Sequence, residues 1–85
     1  MVKIADRIEV EPKIHHGKPV IAGTRVPVHM ILGLLGNNVP FDDIRQDYYD
    51  NITKEDILAC IRYANSLVQE KEVYAIGSVD GRDQR

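Results

Sequence analysis

The chain has 85 residues and a formal net charge of -2, with 44% hydrophobic and 28% charged side chains. A chain of this length can build only one modest core, so we expect a single domain over 1–85 that gains stability by forming a dimer or by binding a partner. The composition excludes a disordered chain, the single cysteine Cys60 excludes an internal disulfide, and the absence of a long apolar run excludes a membrane span. Since no secretory leader is apparent either, we expect a cytoplasmic protein.

Charge is divided unevenly along the chain. Residues 1–29 carry five basic and three acidic side chains, a balance of +2, whereas residues 30–85 carry six basic and ten acidic ones, a balance of -4. If the protein binds nucleic acid, its N-terminal third is therefore the expected contact surface.

Residues 7–27 predict a β-hairpin followed by a connector. From Arg7 to Glu11 polar and apolar side chains alternate, which is typical of a short half-buried strand, and Pro12 ends it. A second extended segment spans 19–22 between two glycines. We expect the two segments to pair through a loop around 15–17.

The first helix is predicted to begin at Pro27, whose missing N–H costs nothing in the first turn. Apolar residues recur at helical spacing and form one stripe: Val28, Ile31, Leu32 and Leu35. Gly36, Asn37 and Asn38 tolerate the left-handed conformation that ends many helices. A short second helix is predicted next, with Phe41, Ile44 and Tyr48 on one face and Asp42 and Asp43 in its first turn.

The third helix has the clearest start signal in the chain. Thr53 and Asp56 form a variant of the capping box, and Ile52 and Ile57 are placed for a hydrophobic staple. The predicted buried stripe consists of Ile57, Ile61, Ala64 and Val68, with Leu58 and Leu67 at its edges. The helix is predicted to run to about Ile76 and to end at Gly77.

These elements predict a mainly α protein. A short N-terminal β-hairpin is followed by a three-helix, helix-turn-helix-like bundle over 28–76 with a long last helix, and by a mobile tail over 77–85.

Metal binding and catalysis are both poorly supported by residue spacing. His15, His16, His29 and Cys60 include no pair at ligand spacing on one element, and adjacent histidines in an extended segment point in opposite directions. No nucleophile has a base placed beside it. We therefore expect exposed turn histidines, a packed Cys60, no cofactor and no enzyme activity.

The segment from Gly17 to Pro27 is unusually rich in glycine, proline and basic residues. It lacks the Gly-Lys-Ser/Thr ending of a phosphate-binding loop. One interpretation is a rigid connector in which Arg25 binds a carboxylate such as Asp56. The other is a surface on which Lys18 and Arg25 face DNA phosphates, and both remain open at this point.

The helix, tight turn and helix from Val28 to Tyr48 match a helix-turn-helix outline. The second helix offers only Arg45 and Gln46 as base-reading side chains, beside three aspartates. A trihelical fold used for protein contact is therefore a competing interpretation.

Several motifs, in order and at consistent spacing, resemble the domain of unknown function 433 family. They run from Arg7 to Ala64 and comprise Gly17-Lys18-Pro19, Gly23-Thr24-Arg25-Val26-Pro27-Val28, Ile31-Leu32, Gly36, Ile44 with Tyr48 or Tyr49, Thr53-x-Glu55-Asp56-Ile57, Ala59 and Tyr63-Ala64. Where the family pattern has a proline after the tyrosine that follows the second helix, this chain has Tyr49 and Asp50.

The resemblance implies a helix-turn-helix-type domain that is often encoded beside a PIN-like ribonuclease, as in toxin–antitoxin modules of the VapBC kind. It implies an antitoxin whose N-terminal part binds operator DNA as a homodimer and whose C-terminal segment binds the toxin. On that basis we expect DNA contacts from Lys18, Arg25, Arg45 and Gln46.

The same resemblance places toxin contacts in the C-terminal segment. There we expect Tyr74 and Ile76 as apolar anchors, with Arg82 or Arg85 near the carboxylates and metal of the ribonuclease site. The alternative is a protein-interaction module that regulates a partner without binding DNA, and a small metal-dependent enzyme is a third class.

Overall fold

The structure is a computed structural model, and it describes residues 1–70. Those residues form a small antiparallel sheet followed by helices. The elements are β1 (Val2–Ala5), β2 (Ile8–Val10), β3 (Val20–Ile21), α1 (Val28–Gly36), α2 (Phe41–Asp43), a π-helical turn (Ile44–Tyr48) and α3 (Lys54–Glu70). The predicted end of the last helix at Ile76 and the tail at 77–85 lie outside the described residues.

The predicted hairpin is present, but it belongs to a sheet of three strands in the order β1-β2-β3. Strand β2 pairs antiparallel with β3 through Ile8 opposite Ile21 and Glu9 opposite Val20, as expected for the two segments. Strand β1 was not predicted. It pairs with β2 through a two-residue turn at Asp6-Arg7, in which Arg7 takes the left-handed conformation with φ 64.

Helix α1 begins at Val28, one residue after the predicted start at Pro27. Pro27 precedes it in an extended conformation (φ -71, ψ 138), and the helix runs to Gly36. At its end the Asn37 N–H donates to the carbonyls of Gly33 and Leu34, and Asn38 adopts φ 67. The left-handed residue predicted at this end is therefore Asn38, because an asparagine tolerates that conformation.

The second helix differs from the prediction at its tyrosines. After Asp43 the chain widens into the π-helical turn, and the Tyr49 N–H donates to the Ile44 carbonyl over 2.8 Å, five residues back. The extra residue in this turn rotates Tyr49 onto the core, whereas Tyr48 is 55% exposed. The predicted face of Phe41, Ile44 and Tyr48 is therefore wrong at Tyr48.

Helix α3 has the predicted cap. The Thr53 N–H donates to Asp56 Oδ2 over 2.9 Å, and the Asp56 N–H donates to Thr53 Oγ1 over 3.1 Å. The two staple residues, Ile52 and Ile57, are both buried in the core. Local hydrogen bonding thus fixes where this helix begins.

The predicted buried stripe of α3 is only half correct. Ile57 is buried and Ala64 is partly buried, but Ile61 is 38% exposed and Val68 is 70% exposed. Cys60, which was not in the predicted stripe, is buried. α3 packs against α1 and β2, which are both short, so these neighbours cover only part of its apolar surface.

The core lies between the sheet and the helices. Its members are apolar, and no polar or charged side chain among the described residues is buried with them. They are Ile8, Val20, Ile21, Val26, Val28, Ile31, Ile44, Ile52, Ile57, Ala59 and Cys60. Among residues 1–70, no helix is both long and apolar enough to cross a bilayer.

Candidate functional site

The connector from Gly17 to Pro27 is closed by hydrogen bonds between its own backbone groups. Its backbone doubles back so that the Ile21 N–H donates to the Val26 carbonyl (2.9 Å) and the Val28 N–H donates to the Pro19 carbonyl (3.0 Å). Gly23 occupies the left-handed conformation at the tip, with φ 78.

Thr24 holds this turn together from within. Its hydroxyl donates to the Ile21 carbonyl over 2.7 Å and accepts the Val26 N–H over 3.0 Å. A turn closed by both backbone and side-chain bonds presents its neighbour Arg25 in a defined position.

A histidine joins the preceding loop to this turn. His15 Nε2 lies 2.8 Å from the Arg25 carbonyl, and since a carbonyl only accepts, the ring nitrogen donates. His15 and His16 both have positive φ (51 and 57) and are exposed, as the sequence predicts for turn histidines. The loop at 15–17 is thus tied to the turn that carries Arg25.

The interpretation in which Arg25 binds Asp56 is wrong. Arg7 fills that position instead, with its Nη1 3.0 Å from Asp56 Oδ1, across 49 positions of sequence. Lys18 and Arg25 are both exposed. Within residues 1–70 the ion pairs join other groups, namely the Met1 amine with Glu11, Arg7 with Asp56 and Arg62 with Asp6.

The two base-reading candidates lie on the π-helical turn after α2 and are exposed. Arg45 Nε donates to the Ile52 carbonyl over 3.1 Å, so part of this guanidinium holds the loop before α3. The neighbouring aspartates are exposed as well: Asp42, Asp43 and Asp47. DNA contact by Arg45 and Gln46 stays a prediction. The predicted partner contacts Tyr74, Ile76, Arg82 and Arg85 lie outside the described residues.

The residues that the sequence offered as possible metal ligands do not form a cluster. No three histidine, cysteine, aspartate or glutamate side chains come together in metal-binding geometry within the described part of the chain. Cys60 is completely buried, and burial, with the charge of Asp56, raises the pKa of its thiol to about 11. A thiol that stays protonated at neutral pH is a packing residue and a poor ligand or nucleophile.

Two of the hollows on the described surface lie beside candidate residues. One, of about 480 Å³, lies beside the connector turn and is lined by Met1, Ile14, Gly23, Thr24, Arg25 and Asn51. The other, of about 280 Å³, lies between α1 and α3 and is lined by Lys18, Pro19, Val28, His29, Leu32, Tyr63, Ala64 and Leu67. Sequence reasoning missed this second hollow, because residues far apart in the chain form it.

The model of one protein family, described as "Protein of unknown function (DUF433)", matches residues 8–64. The chain belongs to the DUF433 family. The match begins at β2 and ends within α3, so it includes the connector turn, the capping box and most of the lining of both hollows. Comparison with curated proteins gave no match, and comparison with solved structures gave none either.

Membership in the DUF433 family confirms the resemblance stated from the motifs. The signal for the missed strand β1 was also in the sequence. Val2 and Ile4 alternate with polar or small residues, and only Asp6-Arg7 separates them from the next alternating run, which is the spacing of a tight hairpin.

Proposed function

We propose that this protein is the antitoxin of a type II toxin–antitoxin pair, which binds operator DNA as a homodimer and inhibits a PIN-like ribonuclease. The observation that carries the proposal is the exposure of two cationic side chains. Lys18 and Arg25 are exposed on a rigid connector, and the carboxylate that was the structural alternative for Arg25 is bound to Arg7. Such cations are available to neutralise phosphates.

The connector is better suited to contact phosphates than bases. Lys18 and Arg25 lie on a backbone held by internal hydrogen bonds, so contact with a phosphate requires ordering of their side chains but not of the backbone. Phosphate contacts position a protein on the duplex, whereas contacts to base edges give specificity. In the proposal, Arg45 and Gln46 supply the base contacts, despite the aspartates beside them.

A symmetric dimer would place two connectors on one duplex. The arrangement doubles the number of phosphate contacts, and it relates the two half-sites by the same two-fold axis that relates the protomers. A homodimer also adds buried area to a domain that has a small core.

Inhibition of the ribonuclease is assigned to the C-terminal segment. A PIN-like site holds a divalent metal among carboxylates, so an inserted guanidinium can displace or mask the metal. Arg82 and Arg85 are the proposed cations, and Tyr74 and Ile76 are the proposed apolar anchors. Deletion of 77–85 is expected to reduce toxin affinity, and unchanged affinity would remove this part of the proposal.

A gel-shift titration against the chain's own upstream DNA tests DNA binding. Lys18→Ala and Arg25→Ala should each weaken binding, and each should lower the salt dependence by about one contact per protomer. Lys54→Ala is the matched control, because Lys54 is also exposed but lies at the start of α3. Equal losses for all three variants would contradict a specific role for the connector.

A protein-interaction module that does not bind DNA is the second candidate. The exposed aspartates around Arg45 and Gln46 favour it, because they repel phosphates from the helix that would read bases. The absence of retardation, both for the chain alone and for its complex with the ribonuclease, would support this candidate and refute the proposal.

A further inference from the structure

The hollow between α1 and α3, here called the α1–α3 groove, combines an apolar floor with a basic rim. The floor is formed by Pro19, Val28, Leu32, Tyr63, Ala64 and Leu67. Lys18 in the connector and His29 in the first turn of α1 complete the lining, and both are exposed. Among residues 1–70, no carboxylate lines this groove.

The groove is large enough to hold one large apolar side chain. Its volume is about 280 Å³, near the lower end of the range of about 300 to 1,000 Å³ in which small-molecule pockets fall. A groove of this kind takes one large apolar anchor of a peptide or helix, and such anchors supply most of the binding energy of protein interfaces.

The groove is open along α3, so a longer segment can lie across it. Leu67, which lines it, is 43% exposed, and the adjacent Val68 is 70% exposed. Ala64 carries only a methyl group, which lets a partner backbone approach the helix closely. The apolar surface therefore continues beyond the anchor position.

We propose that the α1–α3 groove binds an acidic peptide segment of a partner protein, with one large apolar side chain in the groove and a neighbouring carboxylate at Lys18 and His29. Charge complementarity selects this partner, because the cation of Lys18 lies on the rim and no carboxylate of the described part of the chain lines the groove. A nucleic acid would satisfy the Lys18 cation but would leave the apolar floor without a partner.

The inference goes beyond the proposed function, since neither the DNA contacts nor the tail contacts described above use the groove floor. Lys18 alone is shared between the two proposals. His29, Ala64 and Leu67 belong to the groove only, so variants at these positions separate the two.

The test uses the full ¹⁵N-labelled chain and two synthetic peptides. Each peptide has a single central leucine, flanked by glutamates in one and by lysines in the other. The acidic peptide should bind about fivefold more tightly, the order expected of one exposed ion pair at Lys18. Its binding should shift the amide resonances of Val28, Leu32, Ala64 and Leu67.

Three variants check the site. Ala64→Arg fills the groove and should abolish binding, and Leu67→Glu, at an exposed position that tolerates a polar side chain, should weaken it even if Ala64→Arg folds poorly. His29→Ala should weaken binding of the acidic peptide, and because it adds no negative charge beside Lys18 it should leave retardation of DNA unchanged. Met30→Ser is the matched control, because Met30 is 43% exposed on α1 but does not line the groove.

The proposal would be overturned by equal affinity for both peptides or by failure of the acidic peptide to bind. Amide resonance shifts confined to residues outside the groove would also overturn it. A homodimer that covers the groove, or DNA that shifts the same floor resonances, would equally assign the surface to another occupant.

Discussion

Asp56 joins two parts of the fold, so its replacement offers a sharp test. One carboxylate oxygen accepts the Thr53 N–H over 2.9 Å and closes the cap of α3. The other lies 3.0 Å from Arg7 Nη1 and ties the helix to the turn between β1 and β2. Asp56→Ala removes both interactions and leaves the Asp56 N–H bond to Thr53 Oγ1 in place.

The cap and the ion pair contribute different amounts to the free energy of unfolding. Loss of a capping side chain costs about 1 kcal/mol of unfolding free energy. The ion pair contributes less, about 0.5 kcal/mol, because the Arg7 side chain is 45% exposed and solvent screens the pair. Asp56→Ala should therefore cost about 1.5 kcal/mol, which in a domain of this size lowers Tm by roughly 6 to 12 °C.

Urea unfolding followed by circular dichroism measures these changes. Asp56→Asn keeps an oxygen for the Thr53 N–H and should lose only about 0.5 kcal/mol. A double-mutant cycle between Arg7 and Asp56 should show coupling that falls at high salt, whereas a cycle between Arg25 and Asp56 should show none. Coupling to Arg25 larger than coupling to Arg7, or a loss below about 0.3 kcal/mol for Asp56→Ala, would refute the reasoning.

Three further predictions follow from backbone geometry and burial. Tyr49→Ala should cost about 2 kcal/mol in urea unfolding and Tyr48→Ala less than about 0.5 kcal/mol, because the π-helical turn puts only Tyr49 on the core. Gly33→Ala should raise stability by about 1 kcal/mol, since a Cβ there meets open space within α1, whereas Gly23→Ala, at φ 78, should lower it by about 1 kcal/mol. Cys60 should resist alkylation at pH 8 in the folded protein. Because burial raises its pKa from 9.0 to about 11, the stability that its protonated form provides should be lost as pH rises through that interval.

Each of these three predictions has an outcome that would contradict it. Equal costs at the two tyrosines would mean an ordinary α-helical turn after Asp43. A destabilising Gly33→Ala would mean that the outer face of α1 is covered. Alkylation of Cys60 faster than global unfolding would mean an accessible thiol. The alkaline loss of stability should diminish in Cys60→Ala, and persistence at full size would assign it to lysines and tyrosines.

Elements governed by local chemistry were predictable from the sequence. Pro27 restricts the residue before it and permits a first helical turn, so the start of α1 is encoded within two positions. The cap of α3 depends on Thr53 and Asp56, three residues apart, and its geometry follows from that spacing. One of the two open interpretations of the connector was a surface that exposes Lys18 and Arg25.

Tertiary packing decided the rest. One of the two open interpretations paired Arg25 with Asp56, but Arg7 reaches Asp56 from 49 residues away, and no local pattern specifies a contact across that distance. The same holds for Tyr49 replacing Tyr48 on the core and for the exposed half of the apolar stripe of α3. Helical periodicity shows which side chains share a face, but the size and position of neighbouring elements determine how much of that face is buried.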